Sequence, residues 1–292
     1  MSLAETYSTD QLSLSFELFP PKTEAGEKAL FRHVERLVEF KPAYITCTYG
    51  AGGSTQGKTL DIVARVRETS GLPVATHLTC VNRTADQLAQ YLTEARARGV
   101  DNVVALRGDP PKGEDAFVAT EGGFRYANEL VGFIREQFAD MGIAVAGYPE
   151  KHLEAPSMDV DLENLRRKVD AGADVVITQL FYENADFFAF RDRCTTLGIN
   201  VPIVPGLLPV TNFAQIQRIT SLCGAKLPQA FVDALQSAGD DEAAQFDTGV
   251  EFATRQMEDL AKAGVPGIHL YVLNKSEAAS RVLENLGMGS KA

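Results

Sequence analysis

The chain has 292 residues, 45% of them hydrophobic and 23% charged, which is enough apolar material for a large core and excludes a disordered chain. Against 39 aspartates and glutamates stand 28 lysines and arginines, and the net charge of −11 disfavours a polyanion such as nucleic acid as partner. The most apolar stretch, Val201 to Val210, is broken by Pro202, Pro205, Gly206 and Pro209 and falls far short of the roughly 20 residues a membrane span needs.

The opening residues MSLAETYSTD lack the basic start and apolar run of a secretory leader. Eight β-rich segments then recur: Leu12–Phe19, Tyr44–Tyr49, Val74–Cys80, Asn102–Arg107, Ile143–Tyr148, Asp174–Phe181, Val201–Leu208 and Gly267–Asn274. Amphipathic stretches separate most of them, at Glu24–Phe40, Leu60–Thr69, Ala85–Arg98, Ala127–Phe138, Leu162–Ala171 and Ala185–Leu197. Strand followed by helix, eight times over, predicts an α/β fold, a (β/α)8 TIM barrel occupying 1–292 as a single domain. A doubly wound open sheet of fewer strands is the alternative. Ser221 to Gly264 has no strand signal and predicts extra helices before the last strand.

Cys47, Cys80, Cys194 and Cys223 are widely spaced with no CxxC, a pattern that suits reduced thiols in a cytoplasmic protein. His33, His77, His152 and His269 show no short ligand spacing, so no metal site is predicted.

A barrel of this kind carries its chemistry at the C-terminal ends of its strands. Those ends are polar here. In SFELFPP, Ser13, Ser15 and Glu17 alternate with Leu12, Leu14, Phe16 and Leu18, so the polar set faces the lumen and Glu17 stands at the mouth. Strand two brings Thr46 and Thr48 on one face, and strand three His77. Strand four runs into Arg107-Gly108-Asp109-Pro110, and strand five into Tyr148-Pro149-Glu150-Lys151-His152. Strand six carries Gln179, and Asn274-Lys275 follow strand eight. Each has an ordinary reading as well: a glutamate beside Pro-Pro is often a solvated strand end, a single histidine among apolar neighbours a hydrogen-bonded core residue, and RGDP a turn. Convergence on one rim raises the set above its members.

A competing motif lies in Gly52–Thr59, which satisfies GxxxxGK[ST] after a strand and before a helix, as a phosphate loop does. No later strand ends in the aspartate that would hold Mg²⁺. A P-loop nucleotidase stays as the alternative. GxSxG and GxGxxG are absent. In Asp161 to Lys168, residues Asp161, Asn164 and Arg167/Lys168 form one polar stripe on a helix, within reach of an anionic, hydroxyl-rich ligand.

Taken together, SFELFPP, TCTYGAGG, THLTC, VALRGDPP, YPEKH, DLENLRRKVDAGAD, ITQLFY, PGLLPVTNF and LYVLNKSE resemble the bacterial-type 5,10-methylenetetrahydrofolate reductases, from about residue 13 to 286. The resemblance implies an FAD-containing (β/α)8 barrel. It implies that reduced nicotinamide, NADH or NADPH, drives the interconversion of 5,10-methylenetetrahydrofolate and 5-methyltetrahydrofolate in a ping-pong cycle; a non-catalytic flavin- or folate-binding barrel is the further alternative.

By the same resemblance Glu17 is the general acid and Asp109 the carboxylate beside flavin and folate. Chemistry of this kind expects an acid raised towards neutrality by a poorly solvated mouth. The implied FAD contacts are Thr48, Tyr49, Ala51, His77, Arg107, Gly108, Asp109, Tyr126, Ala127, Tyr148, His152, Asp161, Asn164, Arg167 and Lys168. The implied folate contacts are Glu17, Asp109, Gln179, Gln215 and Lys275. Lys275 stands where some relatives have Arg, and Ile219 where an aromatic is expected. A homo-oligomer is expected. The 18 or so residues after strand eight leave no room for the regulatory domain of eukaryotic relatives, so feedback by S-adenosylmethionine is predicted absent.

Overall fold

The computed structural model describes residues 3–7, 11–49, 56–110, 113–114 and 116–289. Nine strands, all parallel to their neighbours, follow the predicted order: β1 (Ser13–Leu18), β2 (Tyr44–Cys47), β3 (Val74–Thr79), β4 (Asn102–Leu106), β5 (Gly142–Gly147), β6 (Val175–Thr178), β7 (Ile203–Val204), β8 (Gly206–Leu207) and β9 (Gly267–Tyr271). The helices are α1 (Leu3–Thr6), α2 (Glu24–Val38), α3 (Gln56–Ser70), α4 (Ala85–Ala97), α5 (Ala127–Gln137), α6 (Met158–Asp170), α7 (Asn184–Thr196), α8 (Phe213–Cys223), α9 (Gln229–Ser237), α10 (Glu242–Lys262) and α11 (Glu277–Asn285).

Nine strands arise from eight predicted segments because Val201–Leu208 is split at Pro205. Pro205 has no N–H to give a ladder, so the segment turns there. Its first half, β7, pairs with β6 and its second half, β8, pairs with β9, which brings the sheet round into a nearly closed barrel. Side chains stitch the break. Gly206 N–H donates to Thr178 Oγ1 at 2.9 Å, and Tyr271 Oη donates to the Thr178 carbonyl at 2.7 Å. A Cβ on Gly206 would stand 2.2 Å from that carbonyl, so only glycine lets the strands approach this closely.

The period-two alternation read from strand one holds around the barrel. Leu14, Phe16 and Leu18 point outward and join Ile45, Val103, Ile143, Val176 and Ile268 in the layer between sheet and helices. The inward set is a separate cluster of Tyr44, Ala75, Val104, Ala144, Val175, Ile177 and Val204, closed by Leu3 and Tyr7 of the N-terminal segment. That segment is an element the sequence reading left without structure: α1 packs against β5, and Leu3 is 2% exposed. Tyr7 Oη donates to Tyr44 Oη at 2.8 Å, so the floor is apolar and its phenols are paired.

Local signals explain where helices start and stop. Thr23 caps α2 by accepting from Gly26 N–H, and Thr84 with Gln87 forms a reciprocal box at α4. The predicted extra helices are α9 and α10, which with α8 enclose a third apolar cluster around Tyr182, Leu208, Phe231 and Leu235. Among the described residues no helix is long and apolar enough to cross a membrane. All four cysteines are free, as their spacing suggested.

Candidate active site

Parallel pairing fixes what surrounds Glu17. On β1 it sits beside Thr46 of β2 and Tyr271 of β9, while two residues earlier Ser15 sits beside His269. His77 arrives from β3. The carboxylate is 8% exposed, and its Oε2 lies 3.1 Å from His77 Nε2 and 3.6 Å from His269 Nε2. His269 is fully buried, stacked on Tyr44, with its Nδ1 2.8 Å from Ser15 Oγ. Thr46 Oγ1, both nitrogens of His77 and Nε2 of His269 are buried without an aligned hydrogen-bond partner. Such orphaned groups concentrated in one chamber mark a site.

Electrostatics corrects one expectation. Burial pushes the Glu17 carboxyl up, but the His77 and His269 imidazoles on the same oxygen outweigh it and hold the acid at about 2. In the protein alone Glu17 is therefore a carboxylate, not an acid raised towards neutrality.

A second group gathers where β4, β5 and α6 end or begin. Lys168 turns its ammonium onto the Ala146 carbonyl and lies 5.9 Å from the Tyr148 ring centroid. Although the residue as a whole is half-buried, the enclosed ammonium is pushed down to about 8 by burial, with Asp161 opposing. Tyr148 stands edge-on to His152, whose backbone N–H donates to Asp161 Oδ2 at 2.8 Å. Burial lowers the His152 imidazole as well. Arg107 grips Glu154, with 2.7 Å from Nη2 to Oε1. Gly108 follows with φ +88°, and a Cβ there would meet Val81 at 2.5 Å. Glycine is required at that turn.

The remaining predicted residues lie around the same rim. Tyr49 is buried, its phenol bonded to Thr79 Oγ1, and Thr48 accepts from Thr59 Oγ1 through its carbonyl. Asp109 is exposed beside Arg107, as are Tyr126 at the start of α5 and Asn164 and Arg167 on α6; Ala127 is half-buried. The α6 stripe therefore divides, Asp161 and Lys168 inward and Asn164 and Arg167 outward, with Arg167 3.6 Å from Glu163. Gln179 is half-buried, its amide oxygen accepting from Leu180 N–H. Gln215 and Lys275 share a cleft with Leu208, Pro209 and Tyr271, so the cleft borders the strand that faces Glu17. Ile219 packs against the apolar cluster of α8 and α9. Ala51 lies outside the described residues.

Of the phosphate-loop alternative, Gly52 to Thr55 lie outside the described residues. Lys58 and Thr59 sit inside α3, Lys58 Nζ 3.9 Å from Glu27 and the Thr59 hydroxyl turned inward onto Thr48. Sequence reasoning missed His269 and Tyr271 as site residues. Their signal was available: in GIHLY they share the inward phase, one residue pair apart, on the strand next to Ser15 and Glu17.

Comparison with known proteins bears on the family and the fold. The family profile for methylenetetrahydrofolate reductase matches residues 2–287. The chain is 42% identical over 288 residues to methylenetetrahydrofolate reductase (NADH) 1 of Arabidopsis thaliana, spanning 95% of this chain but 49% of that protein. It is 37% identical to 5,10-methylenetetrahydrofolate reductase of Escherichia coli, spanning 98% of this chain and 94% of that one. The chain thus covers about half the length of the plant relatives. Among solved structures, a Clostridium thermocellum protein that binds two copies of 5-methyl-5,6,7,8-tetrahydrofolic acid superposes with a TM-score of 0.63 at 16% identity, over 96% of each chain, which speaks to the fold alone. The chain belongs to the methylenetetrahydrofolate reductase family.

Proposed function

We propose that this chain interconverts 5,10-methylenetetrahydrofolate and 5-methyltetrahydrofolate with NADH or NADPH as electron source, in a ping-pong cycle on bound FAD. The observation that carries the reading is the enclosed Glu17 carboxylate at the mouth of the barrel, next to a cleft that offers Gln215 and Lys275.

The residues present suit a flavin dinucleotide. Arg107 and Lys168 offer positive charge and His152 a neutral ring for a diphosphate, Asp161 is an acceptor for hydroxyl groups, and the bare Gly108 backbone admits close approach. Thr48, Tyr49, His77, Tyr126, Ala127, Tyr148, Asn164 and Arg167 complete that assignment. FAD when bound would supply the hydride exchange that no side chain here can perform.

The chain's own groups supply the acid and the positioning. The bridging methylene of the folate must open to a cationic iminium before it accepts hydride, and Glu17, after taking up a proton from solvent, opens it by passing that proton to the departing ring nitrogen. Asp109 on the rim offers negative charge to that cation. Gln179 and Gln215 offer amide hydrogen bonds to a pterin, and Lys275 pairs with a carboxylate as a point charge.

Two measurements test this. The purified protein is expected to be yellow or to become so with FAD, and to bleach with reduced nicotinamide. Glu17→Gln is expected to keep that bleaching and to lose the folate half-reaction. A colourless protein that takes up no FAD and hydrolyses ATP would overturn the reading.

A further inference from the structure

The ladder between β1 and β9 ends at the pair Glu17 and Tyr271, and beyond it the two chains part. From β1 the chain runs through Phe19 into Pro20-Pro21, whose rings fix φ and carry no N–H. From β9 it turns off the sheet. Lys275 N–H donates to the Val272 carbonyl at 2.8 Å, and both residues between them are left-handed, Leu273 at φ +47° and Asn274 at φ +60°. Asparagine enters that region readily, but a leucine there is strained. Such strain persists only where the surroundings impose it, and it collects at ligand clamps.

Three neighbours impose it. Leu273 packs against the apolar cluster of Tyr182, Leu208 and Phe231. The Asn274 carboxamide stands in for the strand neighbour that the turn removed: its Oδ1 accepts from Phe19 N–H at 2.8 Å, and its Nδ2 donates to the Phe19 carbonyl at 2.7 Å. Ser276 N–H donates to Nδ1 of His33, on α2, at 3.3 Å. Phe19 is 38% exposed, so water can satisfy the same two backbone groups, and the Asn274 bonds act on geometry more than on burial. Residues 273, 274 and 276 are thus each tied to a different part of the fold. The residue between them, Lys275, is exposed and lines the cleft with Gln215 and Tyr271. A turn pinned on both sides of a single cation aims that cation.

We propose that Asn274 is a positioning residue for the substrate: by bonding the end of β1 it holds the strained turn that presents Lys275 to a carboxylate of the folate. This rests on the reading of Lys275 as the partner of that carboxylate. The ligand class the turn favours is a reduced folate whose glutamate carboxylates are charged. Asn274 touches neither the reacting atoms nor the carboxylate, and acts through Lys275 alone.

Equilibrium dialysis of the flavin-loaded protein tests it with two probes. One is 5-methyltetrahydrofolate, and the other is its diamide, in which both glutamate carboxylates are carboxamides; the readout is the ratio of the two affinities. Lys275→Ala is expected to lower the preference for the charged probe about 10-fold or more, as the loss of a charge-assisted hydrogen bond does. Asn274→Gly accepts φ +60° without strain but has no carboxamide. It is expected to lower the preference about 5-fold, and to add less than about 2-fold when combined with Lys275→Ala. An Asn274→Gly variant that weakens both probes alike has only a structural effect and overturns the proposal, as does one whose effect adds in full to that of Lys275→Ala. If circular dichroism shows Asn274→Gly unfolded, Asn274→Asp decides, because it keeps the acceptor for Phe19 N–H and loses the donor. There a lowered ratio supports the proposal and an unmoved ratio overturns it. If Lys275→Ala leaves the ratio where it was, the carboxylate reading of Lys275 has failed and the proposal with it. A ratio that falls in Lys275→Ala but not in Asn274→Gly defeats the proposal alone.

Discussion

The two ends of the barrel lumen are built to opposite rules. At the floor, Leu3 and Tyr7 meet Tyr44, Ala75, Val104, Ala144 and Val204, and the phenols bond to each other. A few ångströms along the same strands, Ser15, Glu17, Thr46, His77 and His269 are equally buried, yet four of their polar atoms lack an aligned partner. Strand pairing and the two-residue alternation are the same in both places; only the residue types differ. The floor pairs its phenols and buries apolar side chains, whereas the chamber leaves buried polar atoms unpartnered on three strands, which is where function is expected to be found.

The largest effect should come from removing the chamber's charge. Glu17→Gln is expected to slow the folate half-reaction about 100-fold or more, read by stopped-flow on prereduced enzyme. Stability should respond with a definite sign. The folded carboxyl, at about 2, lies below its ordinary 4.5, so the unfolded chain takes the proton first. Glu17's contribution is full above pH 4.5 and lost as pH falls towards 2. The stability advantage of the parent over Glu17→Gln should therefore shrink from pH 5 to pH 3 in urea titrations; an advantage that grew on acidification would contradict the two-histidine account.

Next is the floor. Leu3→Ala removes a side chain 2% exposed and should cost about 2–3 kcal/mol, the lower part of the range for buried leucines because a short terminal segment can relax. Its signature is thermal: a lower Tm with the folate-to-nicotinamide rate ratio unchanged. If that ratio moved with Leu3, floor and chamber would be one coupled unit, and the contrast drawn between them would fail.

Lys168 sets stability against binding. Burial depresses its ammonium from 10.5 to about 8, so between those values the unfolded chain holds more protons and stability rises with pH. Lys168→Met should make the flavin-free protein more stable at pH 7, abolish that rise between pH 8 and 10, and weaken FAD about 10-fold or more by fluorescence titration. A variant destabilised at pH 7 would show that the ammonium is held for packing and not for a ligand.

How much of this was legible depended on whether a signal was local. The alternation Ser13-Leu14-Ser15-Phe16-Glu17-Leu18 declares its two faces within six residues, and the structure keeps them. Val201–Leu208 reads as one strand in spite of Pro205, because the split into two half-strands pairing on opposite sides depends on Thr178 and Tyr271 reaching it from far away in sequence. His269 carries no signal of its own between Ile268 and Leu270; only its register with Ser15 reveals the chamber. The floor was not legible, since Leu3 and Tyr7 carry no periodicity and gain their meaning from Tyr44. The charge state of Glu17 differs for the same reason: a poorly solvated mouth suggests a raised acid, and histidines on two other strands reverse it.

The smallest expected effect sharpens the comparison from outside the lumen. Gly57, Lys58 and Thr59 fit a phosphate-loop pattern that, were it real, would make Lys58 the main cation of a second anion site. Its partner instead is Glu27 at 3.9 Å, across the exposed surface between α2 and α3, a weak pair in high dielectric. Thr59 differs: its hydroxyl is fully buried and bonds the Thr48 carbonyl, tying α3 to the end of β2. Lys58→Ala should therefore change stability by about 0.2–1 kcal/mol at most and leave both half-reactions alone, whereas Thr59→Val, which leaves that carbonyl only the weak Cys47 thiol donor, should cost about 1–3 kcal/mol. Thermal melts of the two variants measure this. A large loss of nucleotide or flavin binding from Lys58→Ala, with Thr59→Val neutral, would reverse the assignment and restore the phosphate loop; the opposite ranking leaves the mouth of the barrel as the seat of the chemistry.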